Sequence, residues 1–191
     1  MRYKLLERKL LHQGFFRLDK YRAEHERYDG GTLTGEWELL ERGDAVAVVL
    51  YDPSQDEVLL IEQFRVGPLA RDEHPWLTEI VAGMLDGDEE PEVCARRECI
   101  EEAGYEPRVL KPLGVFYVSP GGTSERIFMY LSEVDAGEAL NDGGGLAHED
   151  EDIRVFWVKR SEAMEMVRKG KIQSAAPMLA LLLAFGEPPG G

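Results

Sequence analysis

The stretch that most narrows what this chain can become is Gly83 to Tyr105, GMLDGDEEPEVCARRECIEEAGY. Proline suits the first turn of a helix, where its missing N–H is not needed, and glycine suits the residue just past a helix end. Pro91 and Gly104 therefore bracket a helix with a loop on either side. At about 3.6 residues per turn, Glu98, Glu101 and Glu102 project from one face of it. On spacing alone such a face reads as a solvated acidic surface, because glutamate forms helices well and surfaces are commonly charged. Its position argues otherwise. All three carboxylates sit at the C-terminal end, where the helix dipole disfavours anions, and they repel one another. A divalent cation relieves both effects: magnesium takes oxygen ligands, keeps several waters, and is typically held by one or two carboxylates together with substrate phosphates.

The rest of the chain is consistent with one catalytic domain and an appendage. Its 191 residues, 43% hydrophobic, suffice for a sizeable core. Residues 1–42 alternate short apolar stretches with charge around the turn signal Tyr28-Asp29-Gly30-Gly31, which predicts a hairpin or small sheet too small to stand alone. Strand candidates follow at Ala45–Tyr51, Glu57–Phe64, Leu77–Val81, Leu113–Val118, Arg126–Leu131 and Ile153–Val158. Two helices are expected near the end. One runs over Ser161–Lys169, capped by Ser161 and stopped by Gly170; the other covers Ser174–Phe185 and is apolar enough on all sides to be buried. The expected layout is an N-terminal β subdomain over 1–42, a catalytic domain over 43–186 and a frayed tail over 187–191. Residues 135–151, rich in Gly, Asp and Glu, read as a long functional loop.

Charge and targeting signals narrow the partners. The formal charge of -15 would repel nucleic acid, so a small ligand handled through local cations is expected. Met1 to Leu11 mixes Arg2, Lys4, Glu7, Arg8 and Lys9 among its apolar residues, unlike a signal peptide, and no run is long enough to span a membrane. Cys94 and Cys99, five apart on one helix, point in different directions and cannot pair. A reducing cytoplasm is the expected compartment.

The Gly83–Tyr105 segment resembles the signature box of the Nudix hydrolases, G-x5-E-x7-R-E-U-x-E-E-x-G-U with U apolar. Gly83, Glu89, Arg97, Glu98, Glu101, Glu102 and Gly104 fall on its fixed positions, with Cys99 and Tyr105 in the first and last U. Further segments look like the bacterial ADP-ribose pyrophosphatases: Ile61–Arg65, Glu79–Gly83, Ser119–Glu125 and Glu149–Ile153, with Pro120 near that subfamily's marker proline. The resemblance implies an α/β fold with a mixed sheet, an α/β/α sandwich carrying the N-terminal β subdomain. It also implies magnesium as cofactor, with manganese able to substitute, and hydrolysis of the pyrophosphate bond of a nucleoside diphosphate sugar. ADP-ribose, split to AMP and ribose 5-phosphate, is the leading substrate.

By that resemblance Glu98 and Glu102 are the principal metal ligands, helped by the Ala82 carbonyl, Glu101 and Glu151. Arg97 pairs with a box carboxylate, with Glu89 favoured. Arg65 offers a planar fork to phosphate oxygens, Phe15 an aromatic face to the base, and Pro120, Gly121 and Glu125 line the substrate. Glu149 is the expected base, because helix glutamates committed to a metal are poor bases and a loop carboxylate can swing in after substrate binds. The apolar Phe15, Phe16, Tyr21 and Trp37, in a segment too short for its own core, imply a homodimer formed through residues 1–42. Two other readings compete. A GDP-mannose pyrophosphatase would share much of the pattern, including a Gly-rich stretch like Gly143–Gly145. A catalytically silent metabolite sensor would be expected to lack box glutamates or to carry a DNA-binding module, and neither is seen in the sequence.

Overall fold

A computed structural model describes residues 1–146 and 151–186, in two compact units. The first comprises residues 1–44 and 117–126. Its three strands, β1 (Tyr3–Gln13), β2 (Arg17–Glu26) and β3 (Thr32–Glu41), form an antiparallel sheet in the order β1-β2-β3. The expected Asp29–Gly31 turn joins β2 to β3, with Gly30 and Gly31 both at positive φ. Segment 117–126 belongs to this unit because the edge of β3 holds it: Leu40 N–H donates to the Gly122 carbonyl at 2.8 Å. Buried Asp19 accepts from Arg8 and Arg17, so its cost of burial is offset by two guanidinium partners. Strand β1 is exposed along its whole length.

The second unit holds β4 (Ala45–Asp52), β5 (Glu57–Phe64), α1 (Val66–Leu69), β6 (Trp76–Glu79), β7 (Val81–Met84), α2 (Pro91–Ala103), β8 (Lys111–Tyr117), β9 (Arg126–Glu133), β10 (Arg154–Lys159), α3 (Arg160–Arg168) and α4 (Ala175–Phe185). Its seven-stranded sheet runs β10-β5-β4-β9-β8, with β6 paired to β5 and β7 to β4. The β4–β9 pair is parallel, while β4–β5, β4–β7, β5–β6 and β10–β5 are antiparallel, so the sheet is mixed. Strand β4 reads as an unbroken apolar run because both its faces are covered. Val46, Val48 and Leu50 pack toward Cys94, Ala95 and Cys99 of α2, while Ala45, Ala47 and Val49 pack with Ala163, Val167, Ala180 and Leu181 of α3 and α4. The sheet is thus sandwiched between α2 on one face and α3 with α4 on the other.

Three local expectations need correction. Leu77–Val81 is not one strand: the chain changes partner at buried Ile80, leaving β5 after Glu79 and joining β4 at Val81. Helix α3 begins at Arg160 rather than Ser161, with Lys159 at the cap position and no side-chain cap bond. Helix α4 is buried on one face only. Pro177, Ala180 and Leu181 meet the core, whereas Leu182 and Leu183 are about half exposed. No helix among the described residues is long and apolar enough to cross a membrane.

Candidate active site

Helix α2 ends in a left-handed Gly104, with the Gly104 and Tyr105 N–H groups donating to the carbonyls of Ile100 and Cys99. The small residues Cys94, Ala95, Cys99 and Ala103 form the stripe that faces the sheet, and they let the helix lie close to it. Glu98 and Glu102 belong to that same buried stripe. The acidic face is therefore not a solvated surface: Glu102 is 1% exposed and Glu98 8%. Glu101, on the flank, is partly exposed.

Burial dominates the electrostatics of the pair. It pushes Glu102 well above the usual carboxylate range, against the Ala82 N–H that donates to Oε2 at 2.9 Å. It raises Glu98 to about 7, even though Arg97 Nη1 donates to its Oε1 at 2.7 Å. The Glu98 and Glu151 charges raise Glu102 further, and the Glu101 and Glu151 charges do the same to Glu98. Protein donors alone leave these carboxylates short of positive charge.

Arg97 is the hub of the box. Its Nε and Nη2 fork onto the two oxygens of Glu89 at 3.2 and 3.0 Å, Nη1 reaches Glu101 at 3.1 Å as well as Glu98, and Nη2 also meets the Met84 carbonyl at 3.2 Å. The hydrogen bond from Arg97 holds Glu89 below its usual range. Gly83 stands against Glu98: a Cβ there would lie 1.9 Å from the Glu98 carboxyl carbon, so only glycine lets the carboxylate occupy this place. Behind the box, Arg65 donates to Glu79 Oε2 through Nε at 2.9 Å and Nη2 at 2.8 Å, and its charge draws Glu102 downward. The Glu151 carboxylate accepts from the Leu146 N–H at 3.0 Å.

A divalent cation fits this donor set. Glu98 and Glu102 offer hard carboxylate oxygens from the same buried stripe of α2, Glu98 beside a glycine, and burial is the main cause that pushes both groups upward. Among the described residues no three acidic, His or Cys side chains form a ready ligand cluster; Arg97 Nη1 donates to Glu98 and the Ala82 N–H to Glu102.

The remaining sequence-predicted residues fall elsewhere. Glu149 lies outside the described residues. Phe15, Pro120, Gly121 and Glu125 belong to the first unit. Phe15 is exposed and stands edge-on to Phe16 at 4.9 Å between ring centroids. Glu125 is buried and raised by that burial, with Arg42 Nε 3.6 Å from its Oε1. Arg42 escaped the sequence reading. Its guanidinium lies 5.5 Å from the Phe16 ring centroid, and its Nε is buried without a hydrogen-bond partner. Nothing in its sequence setting, ERGD, distinguishes it from a surface arginine.

An α/β/α sandwich whose helix α2 buries two glutamates beside a Gly83 cradle and an Arg97 hub defines a class of protein. The chain belongs to the NUDIX domain family, whose model matches residues 41–182. Among its relatives, an ADP-ribose pyrophosphatase from Escherichia coli (strain K12) is 46% identical over 179 residues, covering 93% of this chain and 85% of that protein. One of the same description from Haemophilus influenzae is 40% identical over 183 residues, covering 93% and 83%. A GDP-mannose pyrophosphatase from Cronobacter sakazakii is 39% identical over 178 residues, covering 93% and 92%. The fold is shared with a solved structure described as an ADP compounds hydrolase, at a TM-score of 0.73 and 19% identity, covering 96% of this chain and 92% of the other.

Proposed function

We propose that this enzyme hydrolyses the diphosphate bridge of ADP-ribose, releasing AMP and ribose 5-phosphate, with magnesium as its cofactor and manganese able to replace it. The observation that carries the reading is the buried Glu98–Glu102 pair beside Arg97. It occurs in a chain 46% identical to a protein named ADP-ribose pyrophosphatase.

In this reading Glu98 and Glu102 hold the cation, with the Ala82 carbonyl, Glu101 and Glu151 as further oxygen donors. Bound there, magnesium would neutralise diphosphate oxygens, stabilise the leaving phosphate and acidify a bound water. Arg97 keeps Glu89, Glu98 and Glu101 from drifting apart under their own repulsion. Arg65, oriented by Glu79, presents its remaining N–H groups to phosphate oxygens. Phe15 stacks on the base, while Pro120, Gly121 and Glu125 contact the sugar side. Glu149 takes the proton of the attacking water. Glu149→Gln is expected to lower kcat strongly with little change in KM, and Glu151→Gln to raise the magnesium requirement. Exchanged phenotypes in steady-state kinetics would move the base to Glu151.

The GDP-mannose reading is favoured by one observation, the 39% identity to a relative of that name over 92% of its length. Initial rates with ADP-ribose, GDP-mannose and deoxynucleoside triphosphates, each with and without magnesium, decide between them. The expected order places ADP-ribose first and shows no turnover without the cation. A panel led by GDP-mannose would reassign the substrate.

The enzyme acts as a homodimer in the cytoplasm. Strand β1 is exposed on both faces, with Tyr3, Leu5 and Leu10 more than half exposed and Phe15 exposed in the turn that follows it, an arrangement that a second copy would cover. Light scattering at micromolar concentration is expected to give about twice the 21.5 kDa chain mass. A species of chain mass alone would contradict this.

A further inference from the structure

Gly143, Gly144 and Gly145 all adopt positive φ, at 64°, 106° and 79°, a run that side chains rarely tolerate. Its bonds point two ways. Toward the helix, Gly144 N–H donates to the Glu102 carbonyl at 2.9 Å and Gly145 N–H to the Glu101 carbonyl at 3.1 Å, meeting last-turn carbonyls that lack partners within the helix. Toward the loop, the Gly144 carbonyl accepts from Ile153 N–H at 3.1 Å, and the next residue, Leu146, donates its N–H to the Glu151 carboxylate at 3.0 Å. One short segment is fastened both to the backbone of two box glutamates and to the side chain of a third acid.

There is no room for a side chain at Gly143 or Gly145. A Cβ on Gly143 would lie 2.6 Å from the Glu102 carbonyl oxygen, and one on Gly145 would lie 2.6 Å from both Cβ and Oε2 of Glu151. The clash at Gly145 involves the root of the Glu151 side chain as well as its tip, so bending the carboxyl group aside does not relieve it. Gly145 is bonded to the last turn of the helix that carries Glu98 and Glu102, so holding Glu151 against it brings a further carboxylate toward two buried ones, which is unfavourable by itself. A backbone built to hold three like charges together is explained by a cation that they share.

We propose that Gly143–Gly145 is a latch that docks the Glu151 carboxylate against the C-terminal end of α2, and that Gly145 is a positioning residue for divalent-cation binding. The inference rests on the proposed cation site and deepens it: the metal affinity of Glu98 and Glu102 depends on a glycine that touches no ligand atom of theirs.

The test is calorimetric titration of manganese alone, without substrate, into wild-type protein, G145A, E151Q, the G145A/E151Q double variant and G170A. Gly170 also has positive φ, at 67°, but has open space around it, so G170A introduces backbone strain without crowding an acid. G145A is expected to weaken manganese binding on the order of 10-fold or more, the scale seen when residues that orient metal ligands are lost. E151Q should weaken it as well, the double variant should bind no more weakly than E151Q, and G170A should bind like wild type. If G145A does not fold, Gly145→Asn brings bulk toward Glu151 in a residue that tolerates left-handed backbone better. Unchanged affinity in the Gly145 variant, full additivity with E151Q, or equal weakening in G170A would overturn the latch. Wild-type protein that shows this coupling but leaves ADP-ribose intact removes the substrate reading and keeps the latch. Wild-type protein that binds no manganese overturns both.

Discussion

Replacing Glu102 by Gln is expected to lower kcat for diphosphate hydrolysis by on the order of 10²-fold or more while leaving the metal-free protein at least as stable as wild type. The two effects have one cause. Burial beside Glu98 and Glu151 makes a charged Glu102 unfavourable in the folded chain, so a neutral side chain of the same shape relieves the protein. The Ala82 N–H keeps its acceptor in the Gln carbonyl oxygen. The lost charge is the one proposed to hold the cation, so activity falls although the fold does not. Glu98→Gln should behave alike in activity. Melting temperature in chelator and turnover at saturating magnesium measure the two halves separately. A variant that melts well below wild type would make Glu102 structural, and one that keeps near-full turnover would remove it from the site.

Arg97→Ala should damage both stability and activity. Its guanidinium is the shared partner of Glu89, Glu98 and Glu101 and also reaches the Met84 carbonyl. Removing it leaves three neighbouring carboxylates without their main counter-charge. Breaking a fully buried pair costs roughly 3–5 kcal/mol. The Arg97 side chain is 29% exposed, and solvent screening brings the expectation down to about 2–3 kcal/mol. Arg97→Lys restores the charge but not the fork onto Glu89, so it should recover part of the stability and little of the turnover. Urea denaturation and steady-state rates check the pair of variants. Wild-type stability in Arg97→Ala would mean that the carboxylates are held in place by the backbone alone.

The parts of this molecule that were legible in sequence are those decided by local rules. Pro91 and Gly104 bound α2 because first-turn and end-of-helix chemistry are properties of single residues. Ala45–Tyr51 is legible as a strand from its local residues, although its cover on both faces emerges only in the folded chain. What was not legible depends on tertiary contact. Spacing puts Glu98, Glu101 and Glu102 on one face but does not say that two of them are sealed against the sheet, since that follows from how closely Ala95 and Cys99 let the helix approach. The break at Ile80 reflects a change of strand partner, and the pentapeptide Leu77–Val81 carries no local mark of it. Arg42 and the capture of residues 117–126 by β3 arise from contacts far apart in the chain. In sequence Gly143–Gly145 reads only as part of the long functional loop over residues 135–151, whereas close approach is what requires glycine at 143 and 145.

The most direct test is phosphorus NMR of ADP-ribose incubated with the protein, in magnesium and in excess chelator. In magnesium the diphosphate signals should give way to two phosphomonoester signals, those of AMP and ribose 5-phosphate, and in chelator they should persist. Loss of the diphosphate at the same rate in both samples, or its survival in magnesium at high enzyme concentration, would contradict a cation-dependent diphosphate hydrolase centred on Glu98 and Glu102.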